Sequence, residues 1–258
     1  MRLPEAIAAQ VGGRDPEPVL TGQSGAAVYR VRHDDADLFL KIGHGPAAGL
    51  VADEAARLVW LAGRLPTPRV VATTVEPDAF WLLTSALPGV GAGDAIKADR
   101  RRATTVAQAL ATFLRRIHAL PVDECPYDSS LAAWMPVARQ LVTDDRVDTE
   151  DFDDEHADWS AARVLAKVED LAANEQGRVV VHGDFSLGNV MVDAKGAVVG
   201  CLDVGRLGVG DPYRDIFIGW RDLGGFGAEA QTAFLDALGL ERLDERRREL
   251  HRALDELF

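Results

Sequence analysis

Only two cysteines, Cys125 and Cys201, occur in the 258 residues, and neither has a Cys-x-x-Cys partner. That is too few for a disulfide framework, so a reducing compartment, the cytoplasm, is the expected home. No apolar run is long enough to cross a bilayer, and the opening MRLPEAIAAQVGG is interrupted by Glu5 and Gln10. Neither a membrane span nor a signal peptide is therefore expected. Basic residues are the scarcer sign, 28 Lys and Arg against 41 Asp and Glu, for a net charge of −13. A polyanionic partner such as nucleic acid is disfavoured, because phosphate neutralisation needs clustered cations. An acidic field suits a cationic ligand, and it also serves solubility. Internal repeats are absent, and His33, His44, His118, His156 and His251 stand singly, without metal-ligand spacing.

What is present centres on Val179 to Arg206, VVVHGDFSLGNVMVDAKGAVVGCLDVGR. Three short β-branched runs alternate with turn residues, which puts the polar side chains at strand ends. Asp184 and Asn189 are five apart across a loop, and Asp203 ends the third run, two residues before Gly205. Two carboxylates and an amide oxygen converging there suit a hard divalent cation and a hydroxyl that must lose its proton. The spacing Asp-x-x-x-x-Asn followed by a strand-terminal Asp-x-Gly is the kinase pattern of a catalytic-loop Asp and two metal-binding side chains. Gly183 stands where protein kinases carry the Arg of His-Arg-Asp, and Val204 where they carry the Phe of Asp-Phe-Gly. Those departures point to small-molecule kinases of the same fold.

Earlier in the chain, TGQSGAAVYRVRHDDADLFLKIG reads as two strands joined by a polar turn. Gly22, Ser24 and Gly25 form a turn whose backbone can approach a phosphate, or a plain hairpin bend. Lys41 ends an apolar run, and Val51 to Arg64 has helical spacing with Glu54 near its start; a strand lysine meeting a helix glutamate is how kinases hold the α and β phosphates of ATP. Pro4 to Gln10, Trp159 to Leu171 and three segments after Pro212 also read as helices, as does TTVAQALATFLRRIHAL with Thr104 or Thr105 as N-cap. His118 lies beside that helix's apolar stripe and reads as structural. The Pro- and Gly-rich stretch at Pro88 and Gly89 is a natural boundary between a lobe of residues 1–88 and one of 89–258. The expected class is α+β: a bilobal protein-kinase-like fold with a β-rich N-lobe carrying one main helix and a helix-rich C-lobe.

The words HGDFSLGN, GCLDVGRLGVGD and the final LDELF closely resemble the aminoglycoside 3′-phosphotransferase family. The resemblance implies transfer of the γ-phosphate of ATP to the 3′-hydroxyl of an aminoglycoside, with Mg²⁺ held by Asn189 and Asp203 and with Asp184 as catalytic base. It implies adenine contacts from the backbone at Ser85 and Leu87. It places the acidic segment DDRVDTEDFDDEHAD over the antibiotic, with Asp151, Asp153, Asp154 and Glu155 as contacts. It implies that the tail residues Asp255, Glu256 and Phe258, with its terminal carboxylate, meet substrate amines, and that Arg206 and Asp222 lie in the same pocket. Gly225 stands where other members carry an acid. Asp215 resembles a family aspartate that braces the catalytic loop from a helix; it also fits an ordinary charge at a helix N-terminus. A monomer or weak homodimer is expected, with no nucleic-acid or membrane partner. Three other readings fit the residues: a kinase of another small alcohol such as choline, homoserine or a sugar; a non-catalytic nucleotide-binding module; and a metallohydrolase centred on His182, Asp184 and Asp203.

Overall fold

The computed structural model describes residues 1–19, 25–33 and 36–258, so Gly22 and Ser24 lie outside the described residues. The chain packs as two compact units, one made of Met1–Ala92 with Asn189–Arg206, the other of Gly93–Gly188 with Leu207–Phe258. A single cut at residue 88 divides the sequence; the packing is discontinuous, because residues 189–206 join the first unit. No helix among the described residues is long and apolar enough to cross a membrane.

In chain order the elements begin α1 (Glu5–Val11), β1 (Glu17–Pro18), β2 (Ala27–Val31), β3 (Leu38–His44), α2 (Pro46–Leu61), β4 (Val70–Glu76), β5 (Ala79–Ser85) and β6 (Val90–Gly91). They continue with α3 (Ala92–Ala98), α4 (Ala103–His118), α5 (Leu131–Thr143), α6 (Ala161–Leu171), β7 (Val179–Val181), β8 (Val190–Val192) and β9 (Val198–Cys201). The chain closes with β10 (Gly208–Gly210), α7 (Tyr213–Gly224), α8 (Ala228–Leu238) and α9 (Glu245–Asp255). A β-rich first unit with one main helix and a helix-rich second unit match the expected class.

In the first unit an antiparallel sheet runs in the order β1-β2-β3-β5-β4. Strand parity sorts its faces. Leu40 and Ile42 of β3 pack with Trp81 and Leu83 of β5 and with Ile7 and Val11 of α1. Lys41, between them, must therefore point to the opposite face, the one that packs α2. On α2 the buried positions include Val51, Glu54, Ala55, Leu58 and Leu61, an i, i+3, i+4 stripe into which one carboxylate is written, and Arg57 is buried as well. Gly43 shares the parity of Lys41, and a Cβ there would stand 2.2 Å from the carbonyl oxygen of Ala47 in the first turn of α2. The glycine lets the helix start against the strand. A second sheet, β6-β8-β9, completes this unit.

The second unit is built on α4, whose stripe of Val106, Leu110, Phe113, Leu114 and Ile117 is wholly buried as its spacing predicts. Its first residue is Ala103 and no side chain caps it, so Thr104 and Thr105 lie in the first turn and not at the cap. α5, α6 and α9 share a separate core that includes Leu131, Met135, Val164, Val168, Leu250 and Leu254, and Phe152 from the acidic segment joins it. α5 carries Pro136 in its interior and starts from Ser130, whose hydroxyl accepts from the Ala133 amide. The proline, which cannot donate to the preceding turn, hides that helix from a periodicity reading. Strands β7 and β10 pair antiparallel, Val180 opposite Val209.

Because the Gly43 contact has backbone on both sides, Gly43→Ala should destabilise the protein by about 1–3 kcal/mol, the usual range for overpacking. Urea unfolding measures it, and an unchanged midpoint would show that α2 can retreat without loss.

Candidate active site

The residues singled out in the sequence fall into two groups, one in each unit. In the first unit the Lys41 ammonium lies 2.7 Å from Glu54 Oε2 and 2.5 Å from Asp203 Oδ1. Lys41 and Glu54 are largely buried, and the Asp203 side chain remains 51% exposed, open to a ligand. Burial pushes the ammonium towards neutrality, but the two carboxylates outweigh it and hold Lys41 above its ordinary value. Asp203 adopts φ 52°, in the left-handed region that aspartate tolerates better than most residues, and this sharp turn ends the strand run. A Cβ on Gly205 would lie 3.7 Å from Glu54 Cβ, so the turn after Asp203 passes close to α2.

Asn189 and Asp203 are adjacent because of strand pairing. Val190 lies opposite Cys201, and one step beyond, the Leu202 amide donates to the Asn189 carbonyl at 2.8 Å. Asp203 follows directly. An amide oxygen and a carboxylate are hard oxygen donors that fit Mg²⁺, an ion that takes one or two protein ligands and completes its shell with water and phosphate oxygens. No cluster of three or more His, Cys, Asp or Glu able to hold a metal occurs among the described residues. His182 Nδ1 accepts from the Asp184 amide at 3.3 Å.

Of the other residues assigned to nucleotide binding, Gly25 has φ 67° with nothing within 4 Å of a Cβ position. Ser85 ends β5, its amide donating to the Arg69 carbonyl at 2.9 Å and its hydroxyl accepting from the Arg69 amide at 3.0 Å. Leu87 lies just beyond, with its side chain against Gly200. Arg206 closes a 3₁₀ turn, Val204–Arg206, after Asp203.

In the second unit the loop bearing Asp184 is clamped from α7. The fully buried Asp215 carboxylate accepts from the His182 amide at 2.7 Å, from the Gly183 amide at 2.8 Å and faces His118 Nε2 at 3.2 Å. Its neighbour Arg214 donates to the Gly183 carbonyl at 2.6 Å. Gly183 itself has φ 84°. Burial pushes the Asp215 carboxyl up, yet the His118 ring and the loop amides outweigh it and hold the group below its ordinary value. Asp215 is thus a brace of the loop that bears Asp184, and His118, read from sequence as structural, is its partner. Further along, the Leu187 amide donates to Asp222 Oδ2 at 3.1 Å.

The acids assigned to the acceptor are mostly engaged with cations of the same unit. Arg221 pairs with Asp222 and Asp255. Arg252 pairs with Asp153 and Glu155. Glu256 accepts from the Asp153 amide and meets His156, and burial pushes its carboxyl above the ordinary value against the pull of that histidine. Asp151 and Asp154 are exposed. The Phe258 ring stands edge-on to Trp134 at 5.1 Å. Sequence reading overlooked Arg214, Arg221, Arg252 and His156; the local signal for Arg252 is its position one turn before the tail acids on α9.

Replacing Asp215 by Asn leaves a buried amide facing two N–H donors, a loss of roughly 1–3 kcal/mol, and a loop misplaced by an ångström lowers kcat about 100-fold. Because the folded carboxyl lies below the ordinary aspartate value of 3.8, its stabilisation is complete above that pH and lost as pH falls through the folded value. Urea titrations should therefore show the Asp215→Asn deficit at neutral pH and its closure below about pH 3.8; a deficit independent of pH would refute the carboxylate's role.

Comparison with known proteins agrees with this geometry. The chain matches the phosphotransferase enzyme family over residues 17–251. It is 40% identical over 262 residues to an aminoglycoside 3′-phosphotransferase of Escherichia coli, covering 99% of this chain and 95% of that one. A crystal structure of an aminoglycoside 3′-phosphotransferase of type VIII superposes with TM-score 0.86 at 37% identity, over 98% of both chains. An aminoglycoside phosphotransferase from Streptomyces rimosus, solved with ADP and streptomycin, superposes with TM-score 0.82 at 27% identity, over 98% of this chain and 96% of that one. With a kinase-type lysine, glutamate and aspartate set in one unit, a braced Asp184 loop in the other and relatives matched almost end to end, the chain belongs to the aminoglycoside 3′-phosphotransferase family of phosphotransferase enzymes.

Proposed function

We propose that the protein transfers the γ-phosphate of ATP to the 3′-hydroxyl of an aminoglycoside of the kanamycin or neomycin type, and that this modification confers resistance. The observation that carries the reading is the Lys41 ammonium set between Glu54 and Asp203 at 2.7 and 2.5 Å, on a face fixed by strand parity. Lys41 neutralises the α and β phosphates and Glu54 orients it. Ser85 and Leu87 hold the adenine through their backbone, Ser85 by its carbonyl since its amide is given to Arg69. Asn189 and Asp203 would hold Mg²⁺, which would supply neutralisation of phosphate charge.

Asp184 accepts a hydrogen bond from the acceptor hydroxyl and takes its proton late, because phosphoryl transfer is loose and depends on position more than on deprotonation. The brace from Asp215 and Arg214 fixes that position. Aminoglycosides carry several ammonium groups and little apolar surface, so carboxylates and hydrogen bonds must bind them. Asp151 and Asp154 are the exposed acids available for this. Asp153, Glu155, Asp222 and Asp255 are held by Arg252 and Arg221, and substrate amines must share them with those guanidinium groups. Arg206 restrains the carboxylates near Asp203. Residues 1–88 form the nucleotide lobe and 89–258 the acceptor lobe, with residues 189–206 contributing to the former's packing. A relative that is 34% identical over 247 residues is a streptomycin 3″-kinase of Streptomyces griseus, so streptomycin belongs in the acceptor panel.

An ATP-consumption assay with kanamycin, neomycin, streptomycin, choline and homoserine decides the acceptor, and turnover confined to uncharged or singly charged alcohols would exclude the amino sugar. Asp184→Ala should lower kcat by about 10²–10⁴ while leaving nucleotide affinity within about twofold; near-normal turnover would refute the base assignment. Asp203→Asn keeps the backbone shape and removes the charge, so nucleotide affinity measured calorimetrically should lose its dependence on Mg²⁺. An unaltered Mg²⁺ dependence would move the ion elsewhere.

A further inference from the structure

Trp134, half-buried in the first turn of α5, touches two parts of the second unit that the reaction uses. Its indole is aimed by its one polar atom: Nε1 donates to the Ser129 hydroxyl at 3.2 Å. Ser129 is in turn fixed by backbone. The Val209 amide donates to the Tyr127 carbonyl at 2.8 Å, and the Ser129 amide donates to the Val209 carbonyl at 2.9 Å. A Cβ on Gly210 would stand 2.6 Å from the Ser129 carbonyl oxygen, so only glycine lets the two segments lie this close. β10 thus carries Ser129 directly, and β10 pairs with β7, the strand that runs into His182 and Gly183. With the indole held this way, the Arg214 guanidinium carbon lies 5.0 Å from its ring centroid, and Arg214 Nε donates to the Gly183 carbonyl at 2.6 Å. Arg214 is 4% exposed, so the attraction between cation and π face acts away from water, where it is strongest. The Phe258 ring meets the same indole at 5.1 Å and 78°, the edge-to-face geometry that aromatic pairs favour. The Phe258 amide donates to the Asp255 carbonyl at 3.2 Å, which ties that ring to the turn carrying Asp255 and Glu256.

We propose that Trp134 is a positioning residue with two outputs: through Arg214 it sets the Gly183 carbonyl and with it the Asp184 carboxylate, and through Phe258 it sets the acids at the end of α9. This rests on the phosphotransferase reading above for its acceptor. Trp134 also packs against the core shared by α5, α6 and α9, so lost packing and lost positioning have to be separated by the choice of variant.

Trp134→Leu keeps an apolar side chain and removes the π face, whereas Trp134→Phe keeps a ring for both Arg214 and Phe258 and gives up the Nε1 donor. Trp134→Leu should lower kcat about tenfold and raise KM for kanamycin about fivefold, with KM for MgATP within about twofold of the parent. Trp134→Phe should recover both to within about threefold of the parent. Phe258→Leu should raise the kanamycin KM, and adding it to Trp134→Leu should raise that KM no further. Deuterium uptake at the amides of residues 182–187 and 255–258 should increase in Trp134→Leu and not in Trp134→Phe. Unchanged kinetics in Trp134→Leu overturn the proposal, as does a change in only one of kcat and the kanamycin KM. Equal losses in the Leu and Phe variants, or an equal loss in kcat and both KM values, also overturn it, since they mark general destabilisation. If Trp134→Leu does not fold, Trp134→Met, a longer and more adaptable apolar chain, carries the same readouts. If the parent enzyme phosphorylates no amino sugar, the functional reading falls, and the exchange measurement alone then decides whether Trp134 holds the two segments.

Discussion

A buried ammonium between two carboxylates governs the first unit. Lys41 is largely out of water, and a lone charge there would lose its proton or unfold its surroundings; Glu54 and Asp203 prevent both. Much of the local architecture follows from that requirement. The alternation of β3 has to put Leu40 and Ile42 on one face and Lys41 on the other, α2 has to carry a glutamate in its apolar stripe, and the chain after β9 has to turn sharply enough to bring Asp203 to the same point. Two acids to one base leave the set with a net negative charge. A polyphosphate entering that field would be repelled unless it carried a cation with it.

The second unit solves a different electrostatic problem with different means. Its carboxylates are numerous, and each one taken out of water has been given a specific partner: Asp215 the loop amides and His118, Asp211 the amides of Gln176 and Tyr213 with Arg247 and His251, Asp222 and Asp255 the shared Arg221. The acids are therefore not an undifferentiated negative basin. Some are fixtures that hold backbone in place, some are shared with arginines, and a few at exposed positions remain to meet a cation from solvent. Exposed pairs contribute little apiece, about 1 kcal/mol or less, so selectivity has to come from the number and placement of the last group.

Much of this was legible in the chain. Alternation exposed β3 and Lys41, the five-residue spacing marked Asp184 and Asn189, and β-branched runs broken by turn residues located Asp203 at a strand end. These signals are local, set by periods of two and 3.6 residues. What stayed hidden is pairing across long sequence separations: Glu256 with His156, Asp255 with Arg221, Asp215 with His118 leave no mark on neighbouring residues. Helix α5 was hidden for the opposite reason, a local signal that misleads, since Pro136 argues against a helix that the packing of Leu131, Met135 and Ala138 nonetheless holds. The cap expected at Thr104 or Thr105 failed because the helix extends back to Ala103 and needs no side-chain cap there.

The split make-up of the first unit bears on how the protein is made. Its second sheet takes one strand from residues 90–91 and two from residues 190–201, and Asp203 follows these. A nascent chain of 92 residues can assemble the five-stranded sheet but lacks β8, the pairing partner of β6, together with β9 and one of the two acids that keep Lys41 charged. Domains ordinarily mature in the order in which they leave the ribosome. Here the leading half must wait, incomplete, until residue 206 has emerged, by which time more than ninety residues of the trailing half, Gly93–Gly188, are already outside.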